Sequence, residues 1–300
     1  ESRSDNRFVD ISERQNYIFN STINGIEEAD LILLLGSNPR FEATMVNARI
    51  RKAYVNNNTQ IISLNNVGDL TYPYENLDGK TQTIKDISDN NHLVSKKILE
   101  AKKPIVILGE SFFKTKSASY LFYSLKEFLK NNKKFHSDWN PLNILSTDAA
   151  TVGNFDLDIL CNTSNLSQDL RENKFEIVFL IGQDDLKFEK KNEFIIYQGT
   201  HGDRGAELAD IILPGAAYTE QSGYFTNLEG KIQKAYKASY PPGEAREDWE
   251  IINDLAEVMN NRKLFNDKDE LESSMINYLN LKKDKEASKI DKKDISNNFI

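Results

Sequence analysis

Three hundred residues, 39% hydrophobic, 28% charged and 10% aromatic, make an ordinary globular chain with material for a sizeable core, and exclude wholesale disorder. Thirty-eight basic against 46 acidic side chains leave a net charge of −8, so no overall positive field exists to hold nucleic acid or an anionic membrane. A single cysteine, Cys161, excludes a disulfide framework and any iron–sulfur cluster held by this chain alone, which takes about four ligands.

Taken in chain order, short apolar runs bounded by Gly, Pro, Asn or Asp predict strands buried on both faces. The first, Leu31–Leu35, is also the longest aliphatic run and falls far short of the roughly 18 residues of a membrane span. Leu35-Gly36-Ser37-Asn38-Pro39-Arg40 follows it and leads into a helix over Ala43–Val55. Glycine permits a close turn, Asn38 can cap, and free amides at a helix start suit a phosphate; a plain strand-to-helix connection accounts for the same residues. Arg40, Arg49, Arg51 and Lys52 make part of that helix basic, as solvated side chains first and as a protein contact second.

A strand over Ile61–Leu64, a helix over Ile84–Ala101 and a strand over Ile105–Leu108 come next. Gly109-Glu110-Ser111-Phe112-Phe113 then stands where a hydrolase would carry its nucleophile. Phe113 occupies the place that G-x-S-x-G keeps small, so Ser111 reads as part of a helix start. A helix over Ala118–Leu129 and strands over Asn143–Leu145, Ile177–Ile181, Phe194–Tyr197 and Ile211–Leu213 complete an alternation that predicts an α/β fold with mainly parallel sheets and flanking helices.

Gly199–Gly243 holds seven glycines and three prolines and leaves room for short elements only. Within it, Gly199-Thr200-His201-Gly202-Asp203-Arg204-Gly205 misses the G-x-G-x-x-G spacing, and a lone loop His201 reads as exposed, not as a general base. His92 and His136 have no ligand at i+3 or i+4, so no metal site is expected. Glu244–Val258 predicts a helix with acidic residues in its first turn and Trp249 on its buried face. Residues 261–300 read as a surface helix and a mobile end. The expected division is 1–110, 111–260 and a charged tail, 261–300.

Ala29–Ala43, Asn47–Lys52, Ile196-Tyr197-Gln198-Gly199 with His201-Gly202-Asp203, Ala209–Glu220, Asn227–Gln233 and Pro241–Trp249 together resemble the C-terminal region of the large iron–sulfur subunit of respiratory complex I, within the molybdopterin oxidoreductase superfamily. The resemblance runs from about residue 17 to 259 and is weakest between Phe112 and Arg171. It implies a Rossmann-like fold similar to the pterin-binding domains of those enzymes. In their cofactor-binding members, loops like Gly36–Pro39 and Ser222–Gln233 line the pterin cleft. The complex I branch implies a scaffold without that cofactor, in which Gly36, Ser37, Asn38, Thr226 and Asn227 are vestiges of the cleft and no residue is catalytic or binds metal.

The resemblance further implies that the iron–sulfur clusters belong to a cysteine-rich N-terminal half. A chain that starts at Glu1 is expected to be a split-off C-terminal half partnered by that other half and by neighbouring peripheral-arm subunits. It would support electron transfer from NADH to ubiquinone on the matrix side of the mitochondrial inner membrane, or the cytoplasmic side in a bacterium. The alternatives are a fragment of a molybdopterin-dinucleotide-dependent oxidoreductase, with Ser37, Asn38, Thr226 and Asn227 as cofactor contacts, and, last, a hydrolase acting through Ser111.

Overall fold

A computed structural model describes residues 11–149, 151–159, 166–183, 189–202 and 204–280. Cys161, Asp203, the start at Glu1 and the tail after 280 lie outside the described residues. The chain forms two compact units, Glu1–Leu160 with Thr226–Ile232, and Cys161–Phe225 with Gln233–Ile300.

In the first unit, two short 3-10 turns (Arg14–Asn16 and Gly25–Glu28) precede β1 (Leu31–Leu35), α1 (Pro39–Glu42), α2 (Thr44–Asn57), β2 (Gln60–Ser63) and β3 (Glu75–Asn76). There follow α3 (Thr81–Ser88), α4 (Leu93–Glu100), β4 (Pro104–Leu108), α5 (Glu110–Phe113), α6 (Ala118–Asn131), β5 (Leu142–Ile144) and α7 (Thr151–Asp156). The five strands pair in parallel in the order β3-β2-β1-β4-β5, so Glu110 lies between two strands of one sheet.

Every residue of β1 and β4 is buried, as unbroken aliphatic runs require. Leu31, Leu33 and Leu35 pack with side chains of α3 to α6 on one face, while Ile32 and Leu34 pack with Val46 and Ile50 of α2 and with Ile26 on the other. Asn58, at φ 54° in the left-handed region, ends α2 and turns the chain into β2. The helix predicted over Ile84–Ala101 is two helices. Asp89-Asn90-Asn91 turns the chain, with Asn90 at φ 62°, and the Val94 amide donates to Nδ1 of His92, which caps α4. That is the role the structure gives His92.

The second unit holds α8 (Leu166–Arg171), β6 (Ile177–Ile181), β7 (Phe194–Gly199), α9 (Arg204–Leu208), β8 (Ile211–Pro214) and α10 (Asp248–Asn260), and residues 268–280 are helical; the paired strands β9 (Gly223–Thr226) and β10 (Ile232–Ala235) lie mostly in it, with Thr226 and Ile232 counted in the first unit. β6, β7 and β8 form a parallel sheet in that order. Leu180, Ile195 and Tyr197 bury one face against Leu170, Ala206 and Leu208. On the other face Ile177, Ile181, Phe194 and Ile211 stay exposed among the described residues, so the expectation of strands buried on both faces fails for this sheet.

α10 starts at Asp248, later than predicted, because Pro242–Arg246 is held as a turn: Ala245 donates to the Pro242 carbonyl and Arg246 to that of Pro214. Trp249 is only half-buried. The loss from Trp249→Ala therefore falls below the roughly 3–5 kcal/mol of a fully buried tryptophan.

Buried Asn253 ties α10 to the next segment by accepting from the Leu264 and Phe265 amides at 2.9 and 3.0 Å. Glu247, at the start of α10, pairs with Lys268 and with Lys237. Burial pushes the Glu247 carboxyl up, but Lys268 and Lys237 more than offset it and hold it below its ordinary value. A depressed carboxylate adds stability that is complete above its unfolded pKa, about 4.3, and lost as pH falls through its folded value. Between pH 6 and pH 3, residues 268–280 are expected to lose amide-exchange protection, measured against the intrinsic rate at each pH, before β1, β2 and β4. Unchanged protection of 268–280 at pH 3 contradicts this anchoring.

Candidate functional site

The strand order reverses at β1, which sets the carboxyl ends of β1 and β4 side by side; in open parallel sheets that switch point is where ligands bind. Two loops meet there, Gly36–Asn38 after β1 and Gly109–Ser111 after β4. Gly36 has φ 68°, and a Cβ on it would stand 2.3 Å from the Phe112 amide nitrogen. A Cβ on Gly109 would stand 2.4 Å from the Gly36 carbonyl oxygen. The Ser111 amide donates to that same carbonyl at 3.2 Å, and the Gly109 amide to Leu35 at 3.0 Å. Both glycines are needed because backbone here touches backbone.

Acceptors line this crevice. Ser37 is 4% exposed and its Oγ has no partner. Asn38 donates through Nδ2 to the Val67 carbonyl at 2.9 Å and leaves Oδ1 buried and unpaired, as is one oxygen of Glu42. Burial pushes the Glu42 carboxyl up and the neighbouring Glu110 adds to that, against the opposing Asn38 amide and Lys114. In the first turn of α1, Pro39 has no N–H, and the Phe41 and Glu42 amides both donate to the Asn38 carbonyl. Arg40 is turned onto Asp69. The Phe41 and Glu42 amides and the Arg40 guanidinium, which could serve a phosphate, are thus engaged within the protein.

A carboxyl held above its ordinary value costs stability once it ionises, so Glu42→Gln is expected to raise Tm at pH 7 by about 1–2 °C, small because the group is partly exposed. The gain should vanish below pH 4, where both states are protonated. A thermal melt at the two pH values checks this, and an equal gain at both sinks it.

Thr226 and Asn227 also belong to the first unit. Thr226 is buried, its Oγ1 3.4 Å from where a Cβ on Gly153 would lie. Oδ1 of Asn227 accepts from the Lys231 amide at 2.9 Å, which shapes the tip between β9 and β10. Arg14 locks that tip by donating to the Gly230 carbonyl at 2.6 Å while pairing with buried Asp156 at 2.8 Å.

Ser111 is exposed at the first turn of α5, with Phe112 and Phe113 in the core. Among the described residues no three His, Cys, Asp or Glu side chains stand together as a metal site. His201 is exposed and meets Thr200, and the backbone of His136 bridges to Trp139. Glu27 takes Arg49 and Lys52 together, so part of the basic stretch of α2 is paired within its own unit.

Sequence reasoning passed over Glu42, whose one signal is its place four residues after the Asn38 cap. It also missed Gln198 of β7, fully buried and donating to Asp248 Oδ1 at 2.8 Å while Gln221 donates to Oδ2 at 3.2 Å.

A parallel sheet in the order β3-β2-β1-β4-β5, with helices on both faces and a crevice at its switch point, defines a doubly wound α/β protein. The chain belongs to the molybdopterin oxidoreductase family, whose description matches residues 2–258. It is 42% identical over 252 residues to the NADH-ubiquinone oxidoreductase 75 kDa subunit of Reclinomonas americana, covering 83% of this chain and 36% of that protein. It is 41% identical over 257 residues to the mitochondrial 78 kDa subunit of Candida albicans (85% and 35% covered). To NADH dehydrogenase [ubiquinone] iron-sulfur protein 1, mitochondrial, of Solanum tuberosum it is 37% identical over 247 residues (82% and 33%). The chain therefore spans about a third of the length of these relatives, in their C-terminal part. Among solved structures, acetylene hydratase from Pelobacter acetylenicus aligns with a TM-score of 0.41 and 11% identity, over 78% of this chain and 49% of that one.

The family name implies a pterin cofactor. The residues at the switch point do not fit its phosphates: Ser37 Oγ is the one free side-chain donor named there, beside two unpaired acceptors and the Glu42 carboxyl.

Proposed function

We propose that this chain is the molybdopterin-oxidoreductase-like region of the large iron–sulfur subunit of respiratory complex I and acts as a scaffold in its peripheral arm. The observation that carries the reading is identity of 36–42% with subunits of that description, sustained over most of the chain in four organisms. The region holds no cofactor of its own, in keeping with the acceptor-lined crevice, and no residue of it is catalytic. Electrons pass from NADH to ubiquinone through clusters of the part that precedes this region in the relatives. Among the described residues no helix is long and apolar enough to cross a membrane. The chain works on the matrix face of the mitochondrial inner membrane, held there by the rest of complex I.

The test is native purification through a tag on this chain, with mass spectrometry of what accompanies it and metal analysis of the separated polypeptide. Complex I subunits with a cysteine-rich iron–sulfur chain, and no molybdenum or tungsten on this one, is the expected result. A chain that arrives alone with molybdenum or tungsten and a pterin overturns the proposal and makes this protein an enzyme fragment.

A further inference from the structure

The open face of the β6-β7-β8 sheet needs an occupant. The pairing of Ile177 with Phe194 and of Ile196 with Ile211 sets these four side chains on one face, together with Phe179, Ile181 and Leu213. Ile177 is 63% exposed, Ile181 49%, Phe194 43% and Ile211 45%. All seven are apolar, a composition that parallel sheets reserve for faces covered by packed helices. β6 ends the sheet on one side with five consecutive apolar residues and none of the lysines or prolines that protect a free edge.

The surface continues onto α10, whose first residue, Asp248, accepts from Gln198 on this same face, and whose Ile252, Leu255 and Met259 are exposed at i, i+3 and i+7. A sheet face built of aliphatic and aromatic side chains, with Gln198 and Asp248 at one end of it, matches the core of an obligate interface, since transient partners meet surfaces that are more polar. The relatives supply a constant neighbour: about two thirds of their length lies outside the match, which falls in their C-terminal part.

We infer that the open face of the β6-β7-β8 sheet is the seat of the part of the same subunit that precedes this region in the relatives, which covers it with apolar side chains. The inference rests on the complex I assignment proposed above. Covering this face explains why a strand such as Ile177–Ile181 keeps the composition of a buried strand while the described residues leave Ile177 and Ile181 exposed.

The experiment places a photo-crosslinker in the assembled complex through Phe194→p-benzoylphenylalanine, a substitution of similar shape at a partly exposed position. The complex is purified through the tag, irradiated, and its adducts are sequenced. Adducts on the preceding part of the subunit, whether joined to this chain or separate, are expected. Adducts confined to another subunit, to a second copy of this chain or to solvent overturn the inference while leaving the complex I assignment standing.

Recovery of no complex I overturns the assignment, and the inference with it. As a second variant, Ile177→Asp should leave the circular dichroism of the isolated chain unchanged and reduce recovery of complex at least tenfold. Val55→Asp, at an exposed position of α2, should not. Equal recovery with Ile177→Asp also overturns the inference.

Discussion

Leu33→Asp is expected to unfold the first unit and to remove the chain from any assembly it joins. Leu33 is the middle residue of β1, paired with Ile62 on one side and Val106 on the other, and nothing of it reaches solvent. Its side chain lies in the cluster that joins the sheet to α3, α4, α5 and α6. Removing the isobutyl group alone costs about 2–5 kcal/mol at such a site. An aspartate adds a carboxyl with no donor in reach, and whether it ionises or takes a proton the desolvation penalty is several kcal/mol. The sum is comparable with the roughly 5–15 kcal/mol that holds a whole domain together. Leu33→Met, which conserves volume, should cost less than about 1.5 kcal/mol. Far-UV circular dichroism with a urea titration separates the two, and a Leu33→Asp chain that unfolds cooperatively near the wild-type midpoint contradicts the placement of β1 at the centre of the sheet.

The parallel sheet of the first unit was legible because Leu31–Leu35 and Ile105–Leu108 are aliphatic without alternation, and only strands covered on both sides keep such runs. The same grammar misled in the second unit. Ile177–Ile181 and Ile211–Leu213 read identically, yet one face is open: a strand's composition records what it is built to touch, and the covering part need not be in the same stretch of chain.

The single helix over Ile84–Ala101 failed for a different reason. Its apolar period continues across Asp89–His92, and only the Asp-Asn-Asn cluster marked the break. At the switch point, Gly36 and Asn38 were legible as a turn and a cap. The chemistry there was not, because it depends on where the Phe41 and Glu42 amides point, on Arg40 turning to Asp69, and on the burial of Glu42. None of these has a signature in spacing.

The glycines of that crossing give the second large effect. Gly36→Ala must hold an alanine at φ 68°, a left-handed conformation that costs about 1–2 kcal/mol, and must find room for a methyl group 2.3 Å from the Phe112 nitrogen. Gly109→Ala meets the Gly36 carbonyl oxygen at 2.4 Å and Ser37 Cα at 2.7 Å. Neither neighbour is the end of a flexible side chain, so the loops after β1 and β4 must part, giving up the Ser111-to-Gly36 and Gly109-to-Leu35 hydrogen bonds. A loss of about 3–5 kcal/mol is expected for each variant. The two losses should not add. Once the loops have separated for one methyl group, the second finds the space already open, so the double variant should fall short of the sum by at least about 1 kcal/mol. Urea unfolding of the four chains gives that coupling energy directly. Strict additivity would mean that the two loops do not meet at the switch point, and the crevice described there would have to be redrawn.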